Sequence, residues 1–393
     1  MIRPLLLVAA LLLGSPLTHA ASTADDSARI LAGLLPAEPT SPLAPITRNA
    51  GWQGQRTRAD KSWKSYVQDD MTTIRAWSKT ELADIPARTV FYPFSGPDIL
   101  NAVNFLPQGT DFVLLGLEPA GLPPDFKPGD TTQVMATMGL VMGALDEILG
   151  VNFFLTNGMR DEIGRHPYAG IGGIMAWFLV RTDHEILAAR AVSITPEGGL
   201  VEGREGVEFT FRRKGETVER HAWYFQGDIS DGGLAQRPGL VKFIEGRGEL
   251  VTYLKAASYL MFRPSFDDVR RLILDRSVAV VTDDAGVPWH YFADSPTWEP
   301  RLYGQYHDPI QLFGRRCQPD LKKVFAAGAS RGAIQFDFGY TYFQPHLVYA
   351  KRRAEVPITS SARDGSGAVG EDTWCEGGKL VRKTYLPKPK SKK

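Results

Sequence analysis

Cysteine is scarce: Cys317 and Cys375 are the two in 393 residues. A pair without a histidine pair nearby argues against a four-ligand zinc site, and no metal is expected. Net charge is small as well, +1 at pH 7. Nucleic-acid binding demands a clustered basic face, so that class of partner is set aside. Beyond residue 20 there is no uninterrupted apolar run long enough to cross a bilayer. The best stretch, 134–155, carries Asp146 and Glu147. Catalytic signatures are missing too. There is no G-x-S-x-G elbow, and residues 228–233 lack the ligand spacing and closing glutamate of an EF-hand.

What is present begins with residues 1–20, which read as a signal peptide. Arg3 supplies the positive end, 5–13 the apolar core and Thr18-His19-Ala20 a small-residue cleavage site. The expectation is a mature chain of about 370 residues, periplasmic or secreted. In such a compartment Cys317 and Cys375 are expected to pair in a disulfide, against the alternative of two separate thiols.

The most sharply patterned stretch is 89–121. Residues 89–94 are β-branched and aromatic, and Ser95-Gly96-Pro97 is a turn. Ile99, Leu100, Val103 and Leu106 keep helical spacing, with Ser95 or Gly96 as cap and Asp98 in the first turn. Residues 111–117 then form a near-continuous apolar run, as a strand buried on both faces does. Strand, helix and buried strand imply a βαβ unit. The fold class expected is α/β or α+β: a mixed sheet with this N-terminal βαβ unit continuing into antiparallel strands, helices packed on the sheet.

A turn after one strand and Glu118 at the end of the next also outline a dinucleotide site. The fingerprint needs three glycines, however, and Pro97 removes an N–H that would face phosphate. No cofactor is expected. The bland reading, a helix cap and a strand end, is the stronger one.

The rest divides as follows. Residues 21–58 hold a short helix at 25–35 and a Pro-rich linker at 36–51. The main domain is 59–350, with a long amphipathic helix at 60–82 and the βαβ core reaching about residue 180. It includes a helix from Asp130 to Leu149 and a charged helix surface at 160–167. An antiparallel meander spans 171–226, opened by a strand at 171–180, and a helix and strand region spans 240–350. In the latter, Ser265 caps a helix, and Asp283-Asp284-Ala285-Gly286 turns a hairpin between 277–282 and 288–292. Residues 333–338 are expected as a strand. Residues 351–393 are a C-terminal loop and basic tail.

The segments YPFSGPD (92–98) and GLEP (116–119), with KAASYLMFR (255–263) and LYGQY (302–306), resemble an uncharacterised family of exported bacterial proteins. That family has no known activity, so the resemblance implies one shared fold over most of the mature chain and supplies no chemistry.

Candidate ligand-binding residues are Ser95, Gly96, Asp98 and Glu118 at the βα edge, where open α/β sheets hold their ligands. Trp298 and Tyr303 join them from an aromatic cluster read as a loop, which can stack on a ligand or seal a core. The leading expectation is an exported soluble envelope protein that binds a glycan, peptide or protein partner. The alternatives are a periplasmic hydrolase acting at the Ser95–Glu118 edge and a degenerate nucleotide-binding-like fold without cofactor.

Overall fold

The computed structural model describes residues 23–151, 170–293, 295–340, 345–358, 370–377 and 379–385. The expected signal peptide, the charged stretch at 160–167 and the basic tail lie outside them. The centre is a mixed ten-stranded sheet, ordered β4-β3-β5-β6-β2-β1-β7-β8-β10-β9. Its strands are β1 (Thr89–Tyr92), β2 (Asp111–Gly116), β3 (His184–Ile194), β4 (Leu200–Glu202), β5 (Gly206–Arg213), β6 (Glu219–Gln226), β7 (Leu250–Leu254), β8 (Ser277–Thr282), β9 (Trp298–Gly304) and β10 (His346–Arg352). The inner five, β6-β2-β1-β7-β8, are parallel, and the flanks on both sides are antiparallel.

The inner strands are buried on both faces, and their alternation feeds two cores. Val90 and Tyr92 of β1, with Phe112 and Leu114 of β2, join one; Phe91, Val113 and Leu115 join the other. Among the described residues, six helices cover the first face: α1 (Thr23–Leu31), α2 (Ala50–Tyr66), α3 (Thr72–Glu81), α4 (Ile99–Phe105), α5 (Thr131–Val151) and α6 (Gly172–Arg181). The second face is covered by α7 (Asp231–Gln236), α8 (Pro238–Glu245), α9 (Asp267–Arg276), α10 (His290–Ala293) and α11 (Pro319–Ala326).

The expected βαβ unit is β1–α4–β2, with Thr89 to Tyr92 in parallel register with Asp111 to Leu114. Its crossover lies over the first face and steps from β1 towards β6. The β7–α9–β8 crossover lies over the second face and steps the other way. The winding therefore reverses between β1 and β7.

Several local expectations differ from what forms. The strand expected at 171–180 is helix α6, whose ten residues are all buried. A helix apolar on every side has no stripe to reveal its period. The first residue of α6 serves packing: a Cβ on Gly172 would lie 2.4 Å from the Gly121 carbonyl oxygen. Within the expected linker at 36–51, residues Ala44–Arg48 form a 3-10 turn and α2 already begins at Ala50. Asn49 caps α2, accepting from the Gly51 N–H at 2.8 Å, and α2 crosses residues 58–59 without a break. The long helix expected at 60–82 is α2 and α3 joined through a π turn, Val67–Met71.

Asp98, not Ser95 or Gly96, is the α4 cap. The cap position of α9 is Phe266, without a side-chain bond. The hairpin expected around 283–286 does not form, since His290–Ala293 is helical. Residues 333–338 form no extended strand.

The C-terminal region holds a separate two-stranded ribbon, β11 (Gly370–Glu376) and β12 (Lys379–Tyr385), where a loop was expected. Cys317 and Cys375 are disulfide-bonded, with Cα atoms 5.6 Å apart, and tie this ribbon to the body. Closing a loop of 58 residues constrains the unfolded chain by about 4 kcal/mol in the chain-entropy view. Reduction, or the Cys317→Ser/Cys375→Ser double variant, is therefore expected to lower Tm and make the ribbon the first site of proteolysis. An unchanged Tm and cleavage pattern would contradict a stapling role.

Candidate functional site

The carboxyl ends of β1, β2 and β7 meet at the reversal of winding, the position where open α/β sheets leave a crevice. A cleft of ≈ 880 Å³, its open mouth included, lies there. Three short segments build it: 94–98 after β1, 115–118 at the end of β2 and 255–258 after β7. Phe266, Leu260 and Tyr340 add apolar and aromatic wall, and Asp228 stands at the rim.

The turn after β1 is held by its backbone. The Ser95 N–H donates to Leu115 O at 2.8 Å, and the Ser95 hydroxyl donates to Gly96 O at 2.8 Å or Leu115 O at 3.1 Å. Gly96 has φ +52°, and Phe94 beside it has φ 61°. A side chain at Gly116 would collide with Glu118 and Tyr224, both 2.6 Å from where its Cβ would sit. That close approach buries the Glu118 carboxylate to 1% exposure against the glycine backbones. The Tyr224 hydroxyl donates to Glu118 Oε2 at 3.1 Å and to its carbonyl at 2.8 Å.

Asp98 is more heavily engaged. Its Oδ1 accepts from the Asn101 N–H at 3.0 Å, and its Oδ2 from the Tyr92 hydroxyl at 3.0 Å. The Lys255 ammonium lies 3.5 Å from Oδ2, with 1% of that side chain exposed. Burial pushes the Lys255 ammonium down from its ordinary value, and the carboxylates of Asp98, Asp70 and Asp283 oppose it. Asp70 comes from the π turn between α2 and α3, where its Oδ1 accepts from the Asp337 N–H at 3.3 Å. Burial raises its pKa.

After Lys255 the chain is strained. Ala256, Ser258 and Tyr259 have φ of 56°, 54° and 53°. Such left-handed conformations persist where surrounding contacts dictate them, and they concentrate at binding sites. Here the Ala256 N–H donates to Asp283 Oδ2 at 3.0 Å, and the Tyr340 hydroxyl donates to Ala256 O at 2.7 Å. Tyr259 N–H donates to Ala285 O at 3.0 Å, and its hydroxyl donates to Asp284. Asp283 and Asp284, expected as turn formers of a hairpin, are buried to 1% and 2% exposure and brace this loop. Asp284 Oδ1 and His346 Nε2 are 3.1 Å apart.

Of the candidates named from sequence, Ser95, Gly96, Asp98 and Glu118 come together in the crevice. Trp298 and Tyr303 do not join them. They lie on edge strand β9, in core rather than loop, at 3% and 2% exposure. Arg352 covers the Trp298 ring at 4.8 Å, and the Tyr303 hydroxyl donates to Glu81 at 2.7 Å. Sequence reasoning missed Lys255, Asp283 and Tyr340. For Lys255 a signal existed: one lysine interrupts the apolar run 250–262, and lysine is almost never fully buried unless paired.

No histidine among the described residues lines the crevice. Among the described residues no three His, Cys, Asp or Glu side chains cluster to hold a metal, and no helix is long and apolar enough to cross a membrane. No family model, curated protein or solved structure matches the chain.

Burial raises Asp283 to about 7, and neighbouring Asp284 adds to the rise. Between the ordinary aspartate value of 3.8 and about 7 the folded protein then holds a proton that the unfolded chain has released. Stability contributed by this group is present at low pH and is lost as pH climbs towards 7. Asp283→Asn is expected to flatten that part of a Tm–pH curve relative to wild type, and parallel curves would contradict the assignment. Comparison with wild type matters because Asp25 and Asp231, raised by burial to about 6, slope the same way.

Proposed function

We propose that the protein is an exported envelope protein that binds a small hydroxylated ligand, the end of a glycan, in this crevice. The observation that carries the reading is the buried Lys255–Asp98 pair beneath strained loops at the meeting of three strand ends. Burying two charges is costly unless they are paired and hydrogen-bonded, and such arrangements cluster at functional sites.

Ligand class follows from the lining. Three carboxylates, Asp98, Glu118 and Asp228, and one ammonium, Lys255, line the crevice, for a formal charge of −2. A phosphate would be repelled, which speaks against the nucleotide alternative. A neutral polyol would meet carboxylate and backbone acceptors, the Ser258 and Tyr340 hydroxyls, and the apolar faces of Phe94 and Phe266. Aromatic faces with a few fixed polar groups suit a ligand of this kind. Export is supported by the leader-like residues 1–20 and by the disulfide. The hydrolase alternative gains less support, because the Ser95 hydroxyl is committed to carbonyl oxygens.

The test is a melting-temperature screen of neutral hexoses and N-acetylated amino sugars against their phosphorylated counterparts. A ligand bound to the native state alone stabilises by about 2.7 kcal/mol at a hundred times its Kd. Expected is a rise with a neutral sugar, none with its phosphate, and loss of the rise in Glu118→Gln with the ligand-free Tm nearly unchanged. A larger response to the phosphorylated sugar, or an undiminished one in Glu118→Gln, would overturn the reading.

A further inference from the structure

On the opposite side of the ribbon from its disulfide anchor lies a second, wider groove, between β11–β12 and the 3-10 turn Gln311–Arg316. Its chemistry is the reverse of the crevice. Arg263, Arg315, Arg316 and Lys383 line it with the rings of Trp374 and Tyr385. One carboxylate, Asp372, is present, and Arg316 neutralises it at 3.0 Å while also donating to Thr373 O. Among the described residues no carboxylate lies within ion-pair distance of Arg263, Arg315 or Lys383. Both arginines and Lys383 are exposed.

Register explains why these side chains share one wall. Asp372 pairs with Lys383, Trp374 with Val381 and Gly370 with Tyr385. Alternate residues of a strand point to the same side, so Asp372, Trp374, Lys383 and Tyr385 all face the groove. Thr373 and Arg382 point to the other side, where they line a small cavity with Trp289 and Leu321. Trp374 and the Tyr385 level are four residues apart along the ribbon, about 13 Å at strand rise. Lys383 lies between them, its ammonium 5.0 Å from the Tyr385 ring centre. The wall therefore reads ring, cation, ring. From residue 379 to the end the sequence has seven lysines and arginines and no acidic residue.

We propose that this groove binds an acidic polysaccharide, its carboxylates on Arg263, Arg315 and Lys383 and its sugar faces on Trp374 and Tyr385. Arginine forks match carboxylate geometry, and the spaced rings favour a chain of sugar rings over a featureless polyanion. The site is separate from the crevice and does not depend on what the crevice binds.

The experiment is titration of the full mature protein with polygalacturonate at about physiological salt, with dextran, polyglutamate and a single-stranded DNA oligonucleotide as comparisons. Expected is saturable binding of polygalacturonate, none of dextran, and at least tenfold weaker binding of polyglutamate and DNA. The exposed-residue variant Arg315→Ala/Lys383→Ala should weaken polygalacturonate at least tenfold at unchanged Tm. Trp374→Phe, which keeps a ring for packing, should hold the affinity, whereas Trp374→Ala should erase the preference over polyglutamate. Absence of polygalacturonate binding overturns the proposal. So does equal binding of polyglutamate or DNA to wild type, or an Arg315→Ala/Lys383→Ala variant that binds as wild type does. If Trp374→Ala does not fold, the double variant decides alone.

Discussion

One carboxylate ties together the parts of this fold that share nothing in sequence. Asp98 caps α4 through Asn101, takes the hydroxyl of Tyr92 from β1 and holds the ammonium of Lys255 at the end of β7. A lysine buried to this depth would be strongly destabilising alone, because its charge has left water. Paired, it fixes where β7 ends relative to β1. That junction is the point where the winding of the sheet reverses, so the ion pair and the crevice are one construction.

The surrounding loops are arranged by the same requirement. Left-handed backbone at Phe94, Ala256, Ser258 and Tyr259 costs of order 1–3 kcal/mol per residue. At Ala256 and Tyr259 it is offset by bonds from remote elements: Asp283 and Ala285 beyond β8, and the Tyr340 hydroxyl. The crevice is thus preformed by the ends of the sheet. Its acidic lining is opposite in charge to the basic groove at the ribbon.

Legibility in the sequence followed the range of the interactions. The β1–α4–β2 unit could be read because its period and turn residues all lie within thirty residues, although its cap is Asp98 and not the Ser95 or Gly96 expected. Ser95, Gly96, Asp98 and Glu118 came with it. The antiparallel pair β5–β6 was visible through alternation at Val207, Phe209 and Phe211. Helix α6 was not, since burial on every side erases the helical stripe. Lys255 and Asp283 stayed hidden because Asp98 and the Ala256 N–H reach them from loops distant in sequence, and local chemistry made Asp283-Asp284 resemble a turn. Trp298 and Tyr303 misled for a related reason. Aromatic residues beside prolines suit a surface loop, and only the pairing of β9 with β10 makes them core.

The measurement that bears most directly on the organising role of the buried pair is a double-mutant cycle on Lys255→Met and Asp98→Asn, read by urea unfolding with ligand-free protein. If Asp98 and Lys255 hold the strand ends together, each single variant is strongly destabilised and the double variant much less than their sum, a coupling of about 2–3 kcal/mol. Additive effects, with coupling below about 0.5 kcal/mol, would contradict it and leave the crevice as an accident of loop packing.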